Sequence, residues 1–84
     1  MLETQASQRT SRPRVVLRLD ELDRITTALG YDTDAARAAF LGISPAALSK
    51  IRNGHHLPSA DLIAAVRTAL PRVPYEALFT TEER

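Results

Sequence analysis

The sequence predicts a small all-α domain of four or five short helices, preceded by one short segment that reads as either strand or helix. The first observation behind this is a series of capping residues, Asp20, Thr33, Ser44 and Ser59, each standing directly before an apolar-periodic run. The second is the punctuation after each run: Gly30, Gly42, Gly54 and Pro71. The third is the spacing of large apolar residues at three and four positions, as in Leu22, Ile25 and Leu29 or Leu62, Val66 and Leu70.

Residues 1–13 have no apolar period and read as a flexible basic arm that carries Arg9 and Arg12 and leads into Arg14. The domain proper is expected over residues 14–84. "RVVLRL", from Arg14 to Leu19, alternates Val15, Leu17 and Leu19 as a strand does, yet Val15, Leu19 and Leu22 also fit a helical face. Asp20 opens the first clear helix, with Asp23 three residues on and Leu22, Ile25 and Leu29 on one face. Thr33 caps a second helix, "DAARAAFL", ending at Gly42. Ser44 caps a third, with Pro45 at its first position and Asn53-Gly54 at its end. Ser59 caps a fourth, "ADLIAAVRTAL", which Pro71 stops, and Pro74 starts a short fifth, "PYEALF".

A chain of 84 residues makes one domain. At this size only about 60% of the unfolded surface is buried, so stability is marginal and a homodimer is expected. There is no cysteine, and the adjacent His55 and His56 point apart, so neither a disulfide nor a metal site is expected. No cofactor is implied. No stretch approaches the roughly 20 apolar residues of a membrane span, and the polar start lacks a signal-peptide core; the cytoplasm is the expected location. Neither a Ser/His/Asp set nor a glycine-rich phosphate loop stands at a useful spacing, so an enzyme is not expected.

The net charge of +1 hides an asymmetry. Arg9, Arg12, Arg14 and Arg18 face one acid, Glu3, at the front, whereas Glu76, Glu82 and Glu83 crowd the end against Arg84. A basic front hints at a polyanion partner.

The third helix is the most informative. At 100° per residue, Ala47, Leu48 and Ile51 fall on one side and Ala46, Ser49, Lys50 and Asn53 on the other. That outer face is slim and free of acids. A major groove about 12 Å wide admits a helix with such a face, and its phosphate walls exclude carboxylates. Lys50 suits guanine O6 or N7, Ser49 several base edges, and an alanine methyl the methyl of thymine. Taken alone, the same face also describes an ordinary solvated helix of good helix formers.

The segment from Thr33 to Phe79 resembles the lambda-repressor-like helix-turn-helix family, the phage Cro and repressor or XRE type. The resemblance is carried by Ala38, Gly42, Ile43, Leu48 and Ile51, by "SKIRNG", by "HLPSADLIAAVRTAL" and by the "VPYEALF" ending. It implies a helix-turn-helix over about residues 33–54. It also implies base contacts from Pro45, Ala46, Ala47, Ser49 and Lys50, and phosphate contacts around Thr33, Asp34, Ser44, Arg52, Asn53, Gly54, His55 and His56. Two residues depart from the family pattern. Asp34 stands where glutamine is frequent and would repel a phosphate. Arg37 stands where an apolar residue is usual, so that either its stem lies along the core or Phe40 fills the space.

The function implied is a sequence-specific, dimeric DNA-binding transcriptional regulator that reads a near-palindromic operator on double-stranded DNA. Two other functions fit the same fold: an antitoxin that also binds a protein toxin, and a nucleoid-type binder of low specificity. Arg9, Arg12 and Arg14 suit either a minor-groove arm or a solvated tail. His55 and His56 suit either phosphate contacts or a plain solvated loop. "VVLRL" and the group Tyr75, Leu78 and Phe79 suit either the core or a dimer surface.

Overall fold

The computed structural model of the protein describes residues 13–83. The arm residues Arg9 and Arg12 therefore lie outside the described residues. The element order is β1 (Pro13–Leu17), α1 (Leu19–Ala28), α2 (Asp34–Leu41), α3 (Pro45–Arg52), α4 (Ala60–Ala69), α5 (Tyr75–Leu78) and β2 (Phe79–Glu83). The domain is mostly helical, as expected, but the described residues are not all α.

The ambiguous segment is a strand. β1 pairs antiparallel with β2, with Arg14 opposite Glu82, Val15 opposite Thr81, Val16 opposite Thr80 and Leu17 opposite Phe79. β-Branched Val15, Val16, Thr80 and Thr81 suit the pleat. The inner end of the pair, Leu17 and Phe79, is buried in the core, so this strand serves the core from within its own chain. At the same end the Arg18 N–H donates to the Leu78 carbonyl at 2.7 Å and ties the strand exit to α5. The expected fifth helix is correspondingly shorter: Phe79 has left it for β2.

α1 corrects two expectations. Its cap is Arg18, with no side-chain capping bond; Asp20 and Glu21 lie inside the first turn, where their charge favours the positive end of the helix dipole. The inward face is Leu22, Ile25 and Thr26, while Leu29 is 54% exposed. Thr26 is fully buried, and its hydroxyl donates to the Leu22 carbonyl at 2.7 Å while accepting from Arg37 Nε at 2.9 Å. Both halves of a buried hydroxyl are thus satisfied, which removes most of its burial cost.

The other three long helices begin as the sequence dictates. The Thr33, Ser44 and Ser59 hydroxyls accept from the Ala36, Ala47 and Leu62 N–H groups at 3.1, 3.0 and 3.1 Å. Gly42 ends α2 in the left-handed region at φ 76°, with the Ile43 N–H returning to the Ala38 carbonyl at 3.0 Å. Ala38 is fully buried, and it is the small residue that lets neighbouring helices approach. The core is Leu17, Leu22, Leu41, Leu62, Val66, Leu70, Leu78 and Phe79, with Leu48 buried beneath α3. Tyr75 stacks on Phe79 at 5.0 Å under the Arg67 guanidinium, and Tyr31 stacks on Phe40 at 4.4 Å. Tyr75, Leu78 and Phe79 therefore close the core.

The faces of α1 make a direct test. Leu22→Ala leaves a cavity and is expected to cost about 2–5 kcal/mol. Leu29→Ala at the exposed site is expected to change stability by less than about 0.5 kcal/mol. Urea denaturation of the two variants checks the contrast, and equal losses would contradict the assigned face.

Candidate functional site

The candidate site is the outer face of α3 with the residues at its two ends. α3 is short, eight residues, and cannot hold its shape alone. Pro45 presets its first turn, Ser44 caps it, and Leu48 anchors it. Gly54, at φ 79°, lets the His55 N–H return to the Lys50 carbonyl at 2.8 Å. Between these fixed ends Pro45, Ala46, Ser49, Lys50 and Asn53 are exposed together. Asn53 Nδ2 donates to Ser49 Oγ at 3.3 Å, one turn apart on this face. Lys50 has no ion pair among the described residues, so its ammonium is free to meet an anion or a base edge.

Ala47 does not share that face. It is half-buried and lines a groove toward Leu62 and Ala65 of α4, so of the five residues assigned to bases, four stand outward. The spacing already grouped Ala47 with Leu48 and Ile51, and the structure follows that grouping.

The residues assigned to phosphates divide into two groups. Thr33, Ser44, Asn53, Gly54, His55 and His56 are exposed. The Thr33 and Ser44 oxygens accept the capping bonds, which leaves each O–H proton able to donate outward. Asp34 and Arg52 are engaged elsewhere. Arg52 Nη1 and Nη2 donate to Asp23 at 3.0 and 2.9 Å, and its Nε and Nη2 donate to the two oxygens of Asp34, both at 2.9 Å. Arg37 reaches Asp34 at 3.1 Å and Asp23 at 3.5 Å, and also bonds Thr26 and Thr27.

This cluster holds two carboxylates and two guanidiniums and joins α1, α2 and α3. It engages Arg52, to which the resemblance gave a phosphate contact: the fork is held by the Asp23 and Asp34 carboxylates. It also accounts for the two residues, Asp34 and Arg37, at which the sequence departs from the pattern of the family it resembles. Asp34 is neutralised by two arginines, so its repulsion of an anion is muted. Arg37 is the inward-lying residue, its side chain only 11% exposed, while Phe40 turns to stack on Tyr31. A signal for this cluster lay in the resemblance, which marked Arg37 as standing where an apolar residue is usual.

Hydrogen bonds from Arg52 hold the Asp23 carboxyl below its ordinary range against the opposing effect of burial, with Coulombic attraction to Arg52 and Arg37 adding to them. The Arg52 guanidinium is correspondingly raised, first by its bonds to Asp23.

Arg14 sits on β1 rather than on a free arm, and its Nη2 lies 3.6 Å from Glu82. The basic front and acidic end of the sequence thus meet across the sheet. Among the described residues no helix is long and apolar enough to cross a membrane. No family model matches the chain, and neither does any curated protein or solved structure.

Two expectations follow from how α3 is held. Because the folded Asp23 carboxyl binds its proton less readily than the unfolded one, its stabilising effect is complete above the unfolded value near pH 4 and is lost as pH falls through the folded value. Asp23→Asn should cost about 1–2 kcal/mol at pH 7, between the exposed-pair and buried-pair limits, and should flatten the fall in stability toward pH 3. Urea melts across that range measure both effects. Gly42→Val should cost about 1–3 kcal/mol through backbone strain alone, because a Cβ there meets no atom within 4 Å. Equal melting of variant and parent would contradict the left-handed turn.

Proposed function

We propose that the protein is a sequence-specific DNA-binding transcriptional regulator of the lambda-repressor-like helix-turn-helix type. In this reading α2 braces α3, and α3 enters the major groove with Pro45, Ala46, Ser49 and Lys50 toward the bases. The observation that carries the reading is the exposed face of α3, which is slim, acid-free, fixed at both ends and flanked by a carboxylate whose charge is already neutralised. Thr33, Ser44, Asn53 and the His55–His56 loop flank it with groups that donate to phosphate. A dimer would set two such helices about 34 Å apart on a near-palindromic site.

Specificity rests on Lys50 and Ser49, with methyl contact from Ala46. Affinity rests on phosphate contacts and so falls steeply with salt. Selection from randomised duplexes, with specific and random affinities compared at one salt concentration, tests the reading. A flat affinity across sequences would point to the nucleoid-type alternative instead.

Lys50→Ala is expected to weaken the selected site by about 1–3 kcal/mol and to relax preference at one base pair per half-site. Equal loss on selected and random DNA would make Lys50 a phosphate contact. Arg52→Ala is expected to act through stability, with the salt dependence of binding by the folded fraction unchanged.

A further inference from the structure

We propose that Arg14 and the His55–His56 loop form a phosphate-binding cleft that takes a backbone phosphate of DNA beside the exit of α3. The inference rests on the DNA-binding reading and extends it to β1, an element outside the helix-turn-helix.

A cleft of about 270 Å³ lies between β1 and the loop that follows α3, lined by Arg14, Val16, Ile51, His55 and His56 among others. Arg14 enters it from the strand. Its Nε is buried and has no hydrogen-bond partner among the described residues. A buried donor left unmade is costly, and because the Arg14 side chain as a whole is 32% exposed, its other guanidinium donors are open to an anion in the cleft. The neighbouring carboxylate, Glu82, stands 3.6 Å from Nη2, beyond hydrogen-bond reach, so the guanidinium keeps its planar fork of donors.

The backbone N–H groups of Gly54, His55 and His56 are not open to hold the anion in place of Arg14. The N–H of Gly54 donates to the Ile51 carbonyl, and those of His55 and His56 both donate to the Lys50 carbonyl. Side chains must therefore do it: Arg14, with the two exposed imidazoles as further donors. Gly54, which lines the cleft, directly follows Asn53 at the exposed end of α3, so a phosphate seated here lies beside the exit of that helix. Glu82 is then an internal competitor for Arg14.

Two variants of the full chain separate this role from a structural one. Arg14→Gln should weaken duplex binding roughly tenfold and reduce the salt slope by about 0.9. Glu82→Gln, which frees Arg14, should tighten binding. A merely structural Arg14–Glu82 pair would make both variants shift binding the same way or not at all, and that result overturns the proposal. A titration with inorganic phosphate, followed by amide shifts at Gly54, His55 and His56, reads the cleft directly. Shifts present in the parent and lost in Arg14→Gln support the site, and their absence in the parent overturns it. Shifts that follow Arg14 while duplex affinity does not would overturn DNA as the phosphate source. A parent that binds no duplex overturns the DNA reading, and the phosphate titration distinguishes that failure from failure of the cleft.

Discussion

The arrangement of the helices depends on the ion cluster of Asp23, Asp34, Arg37 and Arg52. α1 contributes one carboxylate, α2 a carboxylate and a guanidinium, and α3 the second guanidinium. Helices of eight to ten residues gain most of their stability from packing. Packing of Leu and Val side chains supplies energy without direction. α3 has Leu48 fully buried beneath it and Ile51 packed against the core, a short apolar contact for a helix of eight residues. The forked bonds from Arg52 to two carboxylates on two other helices set the angle of α3. Because the cluster is only partly buried, its desolvation cost stays well below that of a core ion pair.

The second constraint is closure of the chain on itself. A domain this small has little core to share, and two of its core residues, Leu17 and Phe79, come from opposite ends of the described chain. Pairing β1 with β2 brings them together, and the Arg18 to Leu78 bond holds the junction. The same pairing sets Arg14 opposite Glu82, so part of the charge asymmetry along the sequence is balanced across the sheet. The linear charge pattern therefore overstates the basic surface. Lys50 stands without an ion-pair partner among the described residues and Arg14 with a loosely held one, whereas Arg37 and Arg52 have their charge balanced inside.

That division bears on how a polyanion would be met. Cations already forked to carboxylates add little to counterion release, whereas those facing solvent add fully. Among the described residues, one such surface runs along the outer face of α3 and over the loop after it to the edge of β1, with capping hydroxyls at Thr33 and Ser44 able to donate outward.

The sequence alone determined most of what is governed by residues three or four apart, although it misplaced the cap of α1 and the inward face at Leu29. The caps Thr33, Ser44 and Ser59, the glycine stops at Gly42 and Gly54 and the outer face of α3 were legible, because capping, turn geometry and helical periodicity are local. Tertiary structure decided what depends on partners distant in the chain. Strand or helix at Val15 was settled by Thr81 across a sheet. The inward place of Thr26 was settled by Arg37, and Arg52 was turned from solvent to Asp23, 29 residues away. The segment around Val15 had two chemically sound readings in the sequence, and only the partner brought beside it by folding decided between them.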